Sequence, residues 1–314
     1  MSAIAFWAAA LAAFAAVSPA TTPARGAEGD GDSAAGTRVA YEVTPRETDS
    51  RIGRFNEPHL VLFDKGAASS APLLVFLPGS GGAGANVSDF LELAVGQGYR
   101  AVGLSYNNLP AVVAVCARDP DPACSGKVRH ERIFGDDVTR RIDDRPEESI
   151  VNRLAKLLSA LERDHPSEDW GRYLEDGLPR WERIAIAGHS QGGGMSSYIA
   201  QRRRVARVIS FSSPADHYGS DRQVAPWIAD GPGETPADRW FGAYHEKEAG
   251  AALLARAYAA LQVPKAHVRV LALEPARAIG NDPYHLSVVG NAACPRARDG
   301  SAAYADDWRF LLGP

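Results

Sequence analysis

Ile184-Ala185-Ile186-Ala187-Gly188-His189-Ser190-Gln191-Gly192-Gly193-Gly194 is the stretch that decides how this chain is read. The run from Arg183 to Ala187 reads as a strand, apolar after its first residue. Gly193 to Arg203 reads as a helix, so the spacing predicts a tight strand-to-helix turn with Ser190 at its apex. Side chains at Gly188 or Gly192 would collide with neighbouring backbone there, and the helix would direct its free N-terminal amides at the serine. A bare G-x-S-x-G is a weak pattern, and a glycine-rich turn with an incidental serine is its plain alternative. The strand before and the helix after give it meaning, because that context exposes a serine hydroxyl for nucleophilic chemistry.

Working outward, apolar runs alternate with helical ones. Thr37 to Val43 and His59 to Phe63 are β-type and separated by Gly, Pro and Asn, which suggests an antiparallel opening. Pro72 to Leu77 is a continuous apolar run ended by Pro78-Gly79-Ser80-Gly81-Gly82. Asn86 to Gln97 then reads as a helix and Arg100 to Tyr106 as a strand. Asn107 to Ile142 reads as irregular and charged. From Pro146 to Glu162, Ile150, Leu154, Leu157, Leu158 and Leu161 recur at helical spacing, with Pro146, Glu147 and Glu148 suited to the first turn. Val205 to Phe211, Trp240 to His245 and His267 to Leu273 read as further strands, and Ala249 to Leu261 as a helix. Such alternation predicts an α/β fold, a mostly parallel central sheet with helices on both faces.

The chain has 314 residues, 45% of them hydrophobic and 23% charged, so it can build a sizeable core. A net charge of −4 offers no basic face for nucleic acid. Arg202, Arg203 and Arg204 form the tightest basic run, at a helix end where cations complement the dipole. Ala3 to Val17 is apolar and uncharged and leads to Ser18-Pro19-Ala20, which reads as a secretory signal over residues 1–20. Residues 21–36 read as a flexible tail, and 37–314 as a single domain. This implies a secreted or periplasmic protein with no stable membrane anchor after signal cleavage. Export permits oxidation of Cys116 and Cys124, close enough in sequence to staple one loop, with Cys294 left over. No Cys/His spacing fits a metal site.

Pro72 to Gly82, Ile184 to Ser197 and the strand order around them resemble the α/β-hydrolase superfamily over residues 55 to 312, and more narrowly its exported bacterial members of undefined substrate. The resemblance implies a Ser, acid, His order along the chain and an oxyanion hole of two backbone amides, assigned to Gln191 and Ser80. His285 follows the last strand with no other histidine beyond it and is the implied general base. For the acid, the usual family position matches Glu248, while an earlier-strand variant would use Asp216; Asp282 lies too close to His285 in sequence. Ser213 to Trp240, with Tyr218, Trp227 and Trp240, falls where the family inserts a cap, placed at 213–238. Its aromatics would line an acyl or ring pocket or else form the insertion's own core. Tyr106, Asn107 and Asn108 end a strand on the catalytic edge, for a role in the site or merely for turn formation. The implied protein is a serine hydrolase that cleaves a small-molecule or polymer ester, with no metal or organic cofactor. Acyl transfer with the same triad, or an inactive hydrolase fold that binds a partner, are the alternatives.

Overall fold

Leu73, Val75 and Leu77 pack on one face of a sheet while Leu74 and Phe76 pack on the other, which is why this run is apolar without interruption. The computed structural model describes residues 38–68 and 70–313. The expected signal segment, the tail and Thr37 lie outside the described residues.

Eight strands form one sheet: β1 (Arg38–Val43), β2 (His59–Asp64), β3 (Leu73–Leu77), β4 (Arg100–Gly103), β5 (Ile184–His189), β6 (Arg207–Phe211), β7 (Trp240–His245) and β8 (Val268–Leu271). Their spatial order is β1-β2-β4-β3-β5-β6-β7-β8. β1 and β2 pair antiparallel with each other and β2 antiparallel with β4, and every later pairing is parallel. The antiparallel opening and parallel continuation agree with the sequence.

Helices cover both faces. α1 (Ser88–Gly96) and α7 (Ala305–Leu312) share one face, where Phe90 meets Trp308 edge-on at 5.7 Å. α4 (Ile150–Asp164) and α5 (Gln191–Arg202) belong to the other, with α6 (Ala251–Ala260) beside β7. The five apolar residues predicted to face the core of α4 are all buried. Its start differs from the prediction. Pro146–Glu148 is a separate 3-10 turn, and Ser149 caps α4 by accepting from the Asn152 amide. Glu148 turns inward to Arg153 at 2.6 Å instead of serving the helix end.

The segment read as irregular, 107–142, contains α2 (Val112–Cys116) and α3 (Cys124–Phe134). α3 escapes a hydrophobic-periodicity reading because Arg129, Glu131 and Arg132 occupy its inner face. They are buried through pairing, with Arg132 to Asp144 at 2.7 Å and Arg129 to Asp216 at 2.6 Å. Cys116 and Cys124 are disulfide-bonded with Cα atoms 5.7 Å apart, joining the end of α2 to the start of α3, and Cys294 is free and buried.

Residues 213–238 form a two-residue-per-strand hairpin, His217–Tyr218 with Gln223–Val224, and the short helix Pro226–Ala229. Trp227 there is a buried wedge 5.4 Å from the Tyr198 ring of α5, and Trp240 is buried with Nε1 donating to Thr235. Among the described residues no helix is long and apolar enough to cross a membrane.

Candidate active site

Ser190 has φ 54° and ψ −120°, a backbone conformation that non-glycine residues rarely occupy, at the junction of β5 and α5. The flanking glycines are forced by close approach. A Cβ at Gly192 would lie 1.9 Å from the Leu77 carbonyl oxygen, and one at Gly188 would lie 2.4 Å from the Gly192 carbonyl carbon. The turn is further fixed by the Ser190 amide donating to the Phe211 carbonyl at 2.9 Å. As the first residue of α5, Gln191 has an amide with no acceptor inside the helix.

The loop after β3 lies against this turn, since a Cβ at Gly79 would be 3.2 Å from Ser190 Cβ. Two of its amides are engaged: Gly82 donates to the Gly79 carbonyl at 3.0 Å and Gly81 to Asn108 Oδ1 at 2.9 Å. Asn108 Nδ2 donates back to the Gly82 carbonyl at 2.8 Å, clamping the loop from both sides. Among the described residues the Ser80 amide has no partner, and the residue is exposed.

His285 sits in the short helix Pro283–Ser287, and its Nδ1 lies 2.8 Å from Glu248 Oε2. Glu248 is buried, and its other oxygen accepts from Ser212 Oγ and from the His245 amide, both at 2.9 Å. A carboxylate with three hydrogen bonds has one orientation and presents one oxygen to the ring. Asp282 staples the two loops together, accepting from the His285 amide at 3.2 Å and from the Ala249 amide at 2.9 Å. His285 Nε2 has no hydrogen bond among the described residues, and the side chain is 21% exposed.

His189, directly before Ser190, ties His285 to the turn. Its Nε2 lies 2.8 Å from the His285 carbonyl oxygen, and the two rings are 4.8 Å apart. Burial pushes the His189 pKa down to about 3, and the nearby His285 ring pushes the same way. His189 is therefore neutral at pH 7, with Nε2–H as the donor.

Asp216 is not brought to His285. Its carboxylate receives a bidentate pair of hydrogen bonds from Arg129 Nε and Nη2, each 2.6 Å, and a third from Trp227 Nε1 at 2.9 Å. The remaining Arg129 nitrogen donates to the Gln191 carbonyl at 3.0 Å. Gly194 makes room for this guanidinium, since a Cβ there would lie 2.3 Å from it.

Sequence reasoning therefore reached Ser190, Gln191, Ser80, Glu248 and His285, which the structure gathers at one end of the sheet. It missed Ser212, His189, Asp282 and Arg129 as supporting groups and left Asn108 undecided. His189 stood in view as the variable residue of the motif. Arg129 gave no signal, because nothing local marks an arginine in a charged helix as buried.

The strand order and the serine turn after β5 define an α/β-hydrolase fold. No known family profile matches the chain, and no curated protein does. Among solved structures the chain is similar to a dienelactone hydrolase from Klebsiella pneumoniae at 14% identity, covering 87% of this chain and 95% of that one with a TM-score of 0.42. A dienelactone hydrolase-like promiscuous phosphotriesterase from metagenomic libraries is 12% identical over 88% and 99% of the two chains, TM-score 0.45. Esterase 2 of Thermogutta terrifontis is 12% identical over 74% and 82%, TM-score 0.39.

Proposed function

We propose that this protein is an exported serine esterase working through an acyl-enzyme, with Ser190 as nucleophile, His285 as general base and Glu248 as the acid. The observation that carries this reading is the buried Glu248 holding His285 Nδ1 at 2.8 Å while His189 fastens the same histidine beside Ser190. A serine hydroxyl attacks a carbonyl poorly until a base removes its proton. His285 Nε2 takes the Ser190 proton as Oγ adds to the ester carbon, and Glu248 keeps Nδ1 protonated and stabilises the resulting imidazolium. The Gln191 and Ser80 amides receive the carbonyl oxygen as it becomes an oxyanion. Each such donor typically contributes about 3 kcal/mol to lowering the barrier. His285 then returns the proton to the departing alcohol, and water enters by the reverse sequence to free the acid. Among the described residues Ser190 Oγ and His285 Nε2 have no hydrogen-bond partner, which suits a site whose catalytic hydrogen bond tightens when substrate binds.

The Cys116–Cys124 disulfide supports the export part of the reading, because such bonds persist in oxidising compartments. The decisive test is labelling with a fluorophosphonate probe. The wild-type chain is expected to label, and Ser190→Ala and His285→Ala to lose the label. An unlabelled wild-type chain overturns the proposal.

A further inference from the structure

The chain segment after β4 has an unusual division between backbone and side chains. Leu109 to Ala117 is Leu-Pro-Ala-Val-Val-Ala-Val-Cys-Ala, with no charge and no hydrogen-bonding side chain apart from the disulfide sulfur. Its backbone is tethered tightly. Arg132 donates to the carbonyls of Pro110 at 3.0 Å and Leu109 at 3.4 Å. The Gln191 side chain accepts from the Val112 amide at 2.7 Å and donates to the Asn108 carbonyl. Asn108 grips the Ser80 loop, and Cys116 is bonded to α3. Val112 and Cys116 are buried, and the outer side chains are left in water: Leu109 is 51% exposed and Val113 39%, with Pro110, Ala114 and Ala117 also exposed. An ordered, uncharged, apolar surface is thus fastened to Gln191 and, through Asn108, to the loop that carries Ser80.

The sheet order says which part of an ester would meet it. The strap follows β4, two strands to one side of the nucleophile strand β5; Glu248 follows β7 and His285 follows β8, on the other side. The leaving alcohol must lie by His285 to receive its proton, so the acyl group extends in the opposite direction, toward β4. We infer that the Leu109–Ala117 strap is the acyl-recognition surface of this site and that it takes an apolar, medium-length acyl chain. This rests on the esterase reading, and it adds which half of the substrate is apolar and which residues select it.

The test is a series of p-nitrophenyl esters from acetate to octanoate, with the alcohol held constant. For the wild-type chain kcat/KM is expected to rise at least about tenfold along the series, the scale that burial of a few methylenes supplies. In Leu109→Ser/Val113→Ser the octanoate-to-acetate ratio of kcat/KM should shrink to within about threefold. A wild-type chain without the rise, or a double variant that keeps it, overturns the inference. So does a double variant that turns a dimer into a monomer by light scattering with the chain-length preference intact, since the surface would then serve a second copy. Acetate turnover and probe labelling by the wild type separate this failure from failure of the esterase reading. If the double variant does not fold, inhibition of the wild type decides: octanoate must compete at least about tenfold more strongly than acetate, and equal inhibition overturns the inference.

Discussion

Glu248 and Asp216 are both buried carboxylates bound to a basic group near the serine turn, yet their surroundings differ. Glu248 has a histidine on one oxygen and two neutral donors on the other. Asp216 is matched bidentately by a buried guanidinium, with Arg129 only 3% exposed. Glu248→Gln is nearly isosteric and can still accept from Ser212 and the His245 amide, but its amide favours the wrong histidine tautomer. It is expected to lose about 10⁴-fold in kcat, with a small change in urea midpoint. Asp216→Asn leaves the Arg129 charge buried without its partner and is expected to destabilise by about 3–5 kcal/mol. Replacing both partners, Arg129→Met with Asp216→Leu, should recover part of that loss. About 1–3 kcal/mol would remain for the Trp227 N–H left without an acceptor. Urea titrations beside initial rates check the contrast; a kcat loss in Asp216→Asn as deep as that in Glu248→Gln would reject the assignment.

At the scale of elements, the sequence was legible wherever one physical effect acted alone. β3 and the Ile184–Ala187 part of β5 are apolar because both faces are covered, and α4 shows its buried stripe because its outer face meets water. The Gly188 and Gly192 positions were readable because a Cβ there would come within 1.9 to 2.4 Å of neighbouring backbone, which admits nothing larger. α2 and α3 were not readable, because the burial of Arg129 and Arg132 depends on partners 87 and 12 residues away. The choice between Glu248 and Asp216 stayed open in the sequence for the same reason: each follows a strand of the parallel half of the sheet, and the pairing of Asp216 with the distant Arg129 leaves no local signal. The disulfide is the covalent link across this poorly legible region. Closing so short a loop stabilises by about 2–3 kcal/mol in the chain-entropy account. Cys116→Ser/Cys124→Ser is expected to lower the unfolding free energy by about that amount. Reductant should reproduce the shift in the wild-type chain and leave the double variant unmoved.

Across the whole molecule, two buried histidines set the acid limit of stability. His59 begins β2 and is fully buried, with Nδ1 accepting from the Ser105 amide at 3.0 Å and, among the described residues, Nε2 without a partner. Burial pushes its pKa down to about 3, and the Arg153 guanidinium adds to the shift. His189 is held down to about 3 at the serine turn, mainly by burial. Each stays neutral when folded, whereas in the unfolded chain it takes up a proton below its ordinary value of 6.5. The unfolded state therefore binds more protons between about pH 6.5 and 3, and stability falls as pH falls through that window. At pH 5 the loss is about 2 kcal/mol for each histidine relative to neutral pH. The two sites lie on different strands, so their effects should add. His59→Asn keeps an acceptor for the Ser105 amide without a titrating ring. Its urea midpoint should fall about half as steeply as that of the wild type between pH 7 and 5, and equal slopes would show that His59 is already protonated, or solvated, in the folded protein.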